Sequence, residues 1–105
     1  MPQFDVYQNM DPASQARYPL LLDVQSDLLS NLSTRAVVPL CPASAMKGKL
    51  LGNLTPVLEI DGRPLAMLTP QLAGIAKKQL GPKVGHLTSH RQAIIGALDF
   101  LITGI

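Results

Sequence analysis

The sequence predicts a mainly β fold finished by one C-terminal α-helix: a small, largely antiparallel sheet or barrel with the helix packed on it. Three observations point there. Nine Pro and eight Gly in 105 residues are too many for a helix bundle and punctuate the chain as turns do. The apolar runs between them are short, as strands are. Only the last stretch keeps a helical period. The length fits one domain, taken as residues 1–105. With 47% hydrophobic and 15% charged residues the composition excludes a disordered chain. So few charges leave apolar surface to cover, and an oligomer is expected.

Residues 3–7 alternate polar and apolar and predict a first strand, followed by a polar loop over 8–17 with Asp11-Pro12. The apolar run 18–24 predicts a buried second strand, and 26–34 a polar turn that carries Leu28 and Leu29. Residues 35–40 predict a third strand, which Pro39 should push to an edge or a bulge, since proline has no N–H to give a ladder. Residues 41–53 predict a loop, with one helical turn at 43–46. A hairpin follows, with strands over 55–60 and 65–68 and Asp61-Gly62 between them as the turn. Thr69 and Pro70 predict a short helix over 69–75, capped by Thr69. Residues 77–80 predict a last strand that Gly81-Pro82 should stop. Ser89 and Gln92 read as a capping box that starts the terminal helix. Ile94, Leu98, Leu101 and Ile105, widened by Ile95 and Ile102, form its apolar stripe. Gln92, Gly96, Asp99 and Thr103 form a second, polar or small face, and Gly96 with Ala97 would let two helices approach closely.

Several function classes find no support in the residues. The net charge is +2, and Lys47, Lys49, Lys77, Lys78 and Lys83 read as a solvated face rather than a nucleic-acid stripe. One cysteine, Cys41, excludes an internal disulfide and reads as an idle thiol. His86 and His90 are four apart but lack further ligands, so no metal is expected. There is no Gly-x-Ser-x-Gly elbow, no Gly-rich phosphate loop and no cofactor signature. No leader peptide or membrane span is expected, which points to the cytoplasm and makes the sequons at Asn31 and Asn53 chance matches. A ribonuclease site could draw on His86, His90, Asp27, Arg17 and Arg35, whose spacing carries no pattern.

Two features are less ordinary. Asp23-Val-Gln-Ser-Asp27 runs into Leu28-Leu29, which are either core or an exposed protein contact. Thr103-Gly104-Ile105 follows the helix, where Ile105 either completes the stripe or fills a partner's groove.

On these stretches the chain resembles the CcdB-type toxins of toxin–antitoxin pairs. Further matches are Gln3-Phe4 with Val6-Tyr7, Val37-Val-Pro39-Leu40, Pro56-Val57, Met67-Leu-Thr69, and the ending from Ala97 to Ile105. The resemblance implies an SH3-like barrel with an extra sheet and a C-terminal helix, a homodimer, and no enzymatic activity. It implies binding to the A subunit of DNA gyrase, which is trapped with its DNA cut. A CcdA-type antitoxin would neutralise the toxin and join it in repressing their operon, so that DNA is contacted only through that complex. By position the gyrase-facing residues would be Phe4, Ser26, Leu28, Leu29, Asp99, Thr103, Gly104 and Ile105. Thr103 stands where the best-known members carry Trp, and Asp99 where they carry Asn. A ribonuclease toxin on the same fold, or a member that binds only its antitoxin, are the alternatives.

Overall fold

The structure, a computed structural model, describes residues 2–46 and 52–104. Seven strands form one antiparallel sheet. They are β1 (Asp5–Asn9), β2 (Leu20–Asp23), β3 (Thr34–Pro42), β4 (Val57–Ile60), β5 (Arg63–Met67), β6 (Ala73–Ala76) and β7 (Leu80–His86). The spatial order is β4-β5-β3-β2-β1-β7, with β6 also paired to β3. Among the described residues the one α-helix, α1 (Arg91–Thr103), follows β7. The mainly β fold with a C-terminal helix is therefore as expected.

The sheet curls without closing. β4 and β7 are its two edges, yet a Cβ added at Gly85 of β7 would lie 3.5 Å from Ile60 Cγ2 of β4. The edges thus approach across the core as a half-barrel. Inside it Phe4, Val6, Leu22, Val38, Leu40, Leu58, Met67 and Leu87 pack together, and α1 contributes Ile94 and Ala97. Ile95 and Leu98 pack partly against the same core. A smaller cluster of Cys41, Ala66 and Leu68 lies apart from it. Ala97 is 1% exposed, so it belongs to the chain's own core and is not free to meet a second helix. Gly96 is exposed, with nothing within 4 Å of a Cβ placed there.

The hairpin forms where Asp61-Gly62 indicates, with φ of 51° and 78° at the two turn residues. Positive φ at both is the type I′ turn that matches strand twist. The helical turn at Ala43–Met46 is also present.

Four expectations are corrected. Pro39 lies within an interior strand and is neither at an edge nor in a bulge. Its carbonyl accepts from Leu68 N at 3.0 Å, so its nitrogen faces that same side of β3. There β3 passes from pairing β6 at residues 34–37 to pairing β5 at 40–42. The missing N–H falls in the gap between partners. The helix over 69–75 is only a 3-10 turn, Thr69–Gln71, capped by Leu68 and not Thr69, and the chain then enters β6. β6 satisfies the free edge of β3, a non-local demand that outweighs Pro70's local one.

Residues 77–79 form a 3-10 turn, and the last strand begins where it was expected to stop. β7 tolerates Gly81-Pro82 because it is an edge strand whose register with β1 shifts twice. Finally, Ser89 does not cap α1. It lies inside a 3-10 turn, Thr88–His90, and His90 occupies the cap position without a side-chain bond.

Candidate partner-binding site

The segment between β2 and β3 leaves the sheet after Val24, bends at Gln25 and re-enters the sheet at Thr34. Its tip is a 3-10 turn, Asp27–Leu29, whose cap Ser26 accepts from Leu28 N at 3.2 Å. Leu28 is 93% exposed and Leu29 49%. Of the two readings of this apolar pair, the exposed one is correct.

A hydrogen-bonded frame holds the tip out. Gln25 spans it: Nε2 donates to the Leu29 carbonyl at 3.0 Å and Oε1 accepts from Ala36 N of β3 at 3.0 Å. The Asp27 carboxylate accepts from Gln3 N at 2.6 Å, and Gln3 Nε2 donates to the Val24 carbonyl at 3.1 Å. Under the loop Asp23 accepts from Arg35 Nε at 2.9 Å and from Gln25 N at 3.0 Å, with neither charged side chain exposed. Burial pushes the Asp23 carboxyl up, and the Arg35 guanidinium opposes it. A pair this dry contributes fixed geometry more than stability.

Phe4 departs from its expected role. It is 2% exposed, so its ring offers no surface to a partner. Its φ is 72°, a backbone state that costs a bulky residue on the order of 1–3 kcal/mol. That turn sends the ring into the core while the Gln3 amide faces Asp27. Arg91 stacks over the ring at 5.6 Å and reaches Gln3 Oε1 at 3.4 Å, tying the start of α1 to the loop.

Asp99, Thr103 and Gly104 are exposed at the other end of α1. Asp99 is eight residues beyond Arg91, so about 12 Å along the axis. The site residues thus form two groups in one chain, Ser26 with Leu28 and Leu29 near the helix start and Asp99 to Gly104 near its end. Thr103 Oγ1 donates back to the Asp99 carbonyl at 2.7 Å. Gly104 ends the helix in the left-handed conformation with φ of 74°, where glycine avoids the Cβ penalty. Ile102, beside them, is 74% exposed. Ile105 lies outside the described residues, as do Lys47 and Lys49.

The reactive residue types are not assembled into a catalytic centre. Arg35 is buried against Asp23, Asp27 holds Gln3, and Arg17 lies over Tyr18 at 5.7 Å. Burial raises the Cys41 thiol, which disfavours the reactive thiolate. Among the described residues no cluster of His, Cys, Asp or Glu could hold a metal ion, and no helix is long and apolar enough to cross a membrane.

The framing roles of Gln3, Gln25 and Arg35 are not visible in the sequence, although Gln25 stands inside the Asp-Val-Gln-Ser-Asp motif. Lys83 is exposed, as expected of a solvated lysine, and its Nζ also reaches the Asp5 carboxylate at 3.3 Å.

A small half-barrel that presents two leucines to solvent on a hydrogen-bonded turn, beside a helix with exposed apolar and polar groups, has the features of a surface for another protein. The family comparison agrees: the family model described as CcdB protein matches residues 3–104, and the chain belongs to that family. It is the toxin of a toxin–antitoxin system, and the family's members poison gyrase rather than act as enzymes themselves.

Proposed function

We propose that the chain binds the A subunit of DNA gyrase and traps it with its DNA cleaved. The observation that carries this reading is the exposed Leu28-Leu29 pair on its fixed 3-10 turn. A side chain 93% exposed contributes almost nothing to folding, and apolar anchors presented on a rigid frame are what a protein partner buries. Ser26, Leu28 and Leu29 form one contact group, and Asp99, Thr103, Gly104 and Ile105 the other. Phe4 supports the first from beneath.

A homodimer, with a cognate antitoxin of the CcdA type that neutralises the toxin and joins it in repressing their operon, completes the proposal. DNA is then met only through that complex, and the site of action is the cytoplasm, where gyrase works.

The test mixes the purified protein with gyrase and supercoiled DNA and looks for linear DNA after the gyrase is denatured. Linear DNA from the intact chain, lost with Leu28→Glu and with residues 104–105 removed, is the expected result. No linear DNA with gyrases from more than one source overturns the reading.

A further inference from the structure

We propose that Lys77 is a positioning residue for the toxin's contact loop; its consequence for gyrase rests on the function proposed above. The two halves of the loop are held from different places. The first half is tied down by Gln3 at Asp27 and by Gln25 at Leu29. The second half is reached from the end of β6, the strand paired with the start of β3. Lys77, in the 3-10 turn after β6, donates its backbone N–H to the Ser33 carbonyl at 2.9 Å. Its Nζ donates to the Ser30 carbonyl, 47 residues away in the chain.

Ser30 is the C-cap of the 3-10 turn that carries Leu28 and Leu29. Carbonyls at such an end have no partner within the turn. The ammonium supplies one, through a charge-assisted bond that is stronger than a neutral one. Lys77 is half-buried, whereas Lys78 beside it is exposed. The half-buried stem and its single-carbonyl target separate this lysine from a solvated charge.

The physical role follows from the exposed apolar pair. Leucines held in water gain by folding back onto apolar surface, and a loop free to do so must be re-ordered before a partner can bind it. A frame that fixes the loop beforehand removes that cost from binding. Ser26 and Asp27 fix the entry to the turn; Gln25 at the Leu29 carbonyl and Lys77 at the Ser30 carbonyl hold its exit.

The substitution Lys77→Met keeps the aliphatic stem and the backbone bond to Ser33 and removes only Nζ. Two readings are taken on the full chain, with Lys77→Arg and Leu28→Glu beside it. Amide hydrogen exchange is followed at Ser30 and Leu32, whose N–H groups bond to Asp27 and Leu29 within the loop. The toxin concentration for half-maximal linear DNA is measured with gyrase. In Lys77→Met both loop amides exchange roughly five- to tenfold faster, while the amides of Leu22 and Val38 in the sheet are unchanged. The half-maximal concentration rises by a similar factor, and Lys77→Arg restores both. Uniformly faster exchange, sheet included, would make Lys77 an ordinary stabilising residue and overturn the proposal. Unchanged exchange at Ser30 and Leu32 would do so as well. So would faster loop exchange with unaltered trapping, where Leu28→Glu abolishes trapping. If the unmodified chain traps no gyrase, the proposed function fails by itself, and the loop-specific exchange decides whether Lys77 orders the loop.

Discussion

Arg35 Nη2 and Asp23 Oδ2 meet at 2.7 Å on neighbouring strands, both side chains wholly buried, directly behind the loop that presents Leu28. Removing one charge strands the other in a dry site. Asp23→Asn is expected to destabilise the fold by about 3–5 kcal/mol, read as a lower midpoint in urea unfolding. Replacing both residues by apolar ones of similar size should recover much of that loss, and should do so without restoring the bond that orders Gln25. Recovered stability with weakened gyrase trapping would show the pair serving the loop.

Tyr7 gives the fold an alkaline limit. Its hydroxyl donates to Asp5 at 3.4 Å, and its pKa is pushed up from 10.0 to about 12, first by burial and then by the charge of Asp5. The neutral phenol is the form the fold accepts. Its contribution is therefore complete below pH 10.0 and is lost as pH rises through about 12. Tyr7→Phe should flatten the fall in stability across that window, measured by urea unfolding at stepped pH. The tyrosinate absorbance difference between the two proteins should have its midpoint near 12.

Leu28→Glu should separate folding from binding. With the side chain 93% exposed, its thermal midpoint should correspond to a change within about 0.5 kcal/mol. The same protein should lose tenfold or more in affinity for its partner, an anchor's contribution of on the order of 2 kcal/mol. A large drop in the midpoint would place Leu28 in the fold rather than on its surface.

Two glycines should respond in opposite directions to alanine. A Cβ at Gly81 would meet Met10 Sδ at 2.7 Å and the Gln8 carbonyl at 2.9 Å. Met10 can swing away, but the carbonyl belongs to β1, so Gly81→Ala should cost about 1–3 kcal/mol. Gly96 lies inside α1 with open space around it. Gly96→Ala should stabilise by about 0.5–1 kcal/mol through helix propensity. Thermal unfolding of both variants checks the pair. If Gly96→Ala also disrupts a dimer in sedimentation, the small residue faces a second copy.

What was legible in the residues was local. Asp61-Gly62 determines its turn through its own backbone preferences, and the spacing of Ile94, Ile95 and Leu98 sets the inward face of α1, although Ile102 of the same expected stripe is exposed. Pro39 and Gly81-Pro82 mislead for one shared reason: whether a strand residue needs an N–H depends on the neighbour at that point, which local sequence does not state. Leu28 and Leu29 stayed ambiguous because two apolar residues in a turn look alike in core and in solvent. Only the frame of Gln3, Gln25 and Asp27 distinguishes them, and Gln3 lies 24 residues from the Asp27 it holds. Lys77 carried no signal, since its target is a backbone carbonyl remote in sequence.

The pairing of β1 with β7 has a consequence for how the protein is made. Synthesis delivers Phe4 and Val6 first, yet their neighbours Gly85 and Leu87, and the Ile94 that covers the same core, leave the ribosome some 80 residues later. The growing chain can assemble β1, β2, β3 and the β4–β5 hairpin, but the outer edge of its opening strand waits for the final third. Until then the turn that carries Leu28 and Leu29 lacks the Lys77 bond at the Ser30 carbonyl. The loop's frame and the core beneath it are therefore completed only by the last third of the chain.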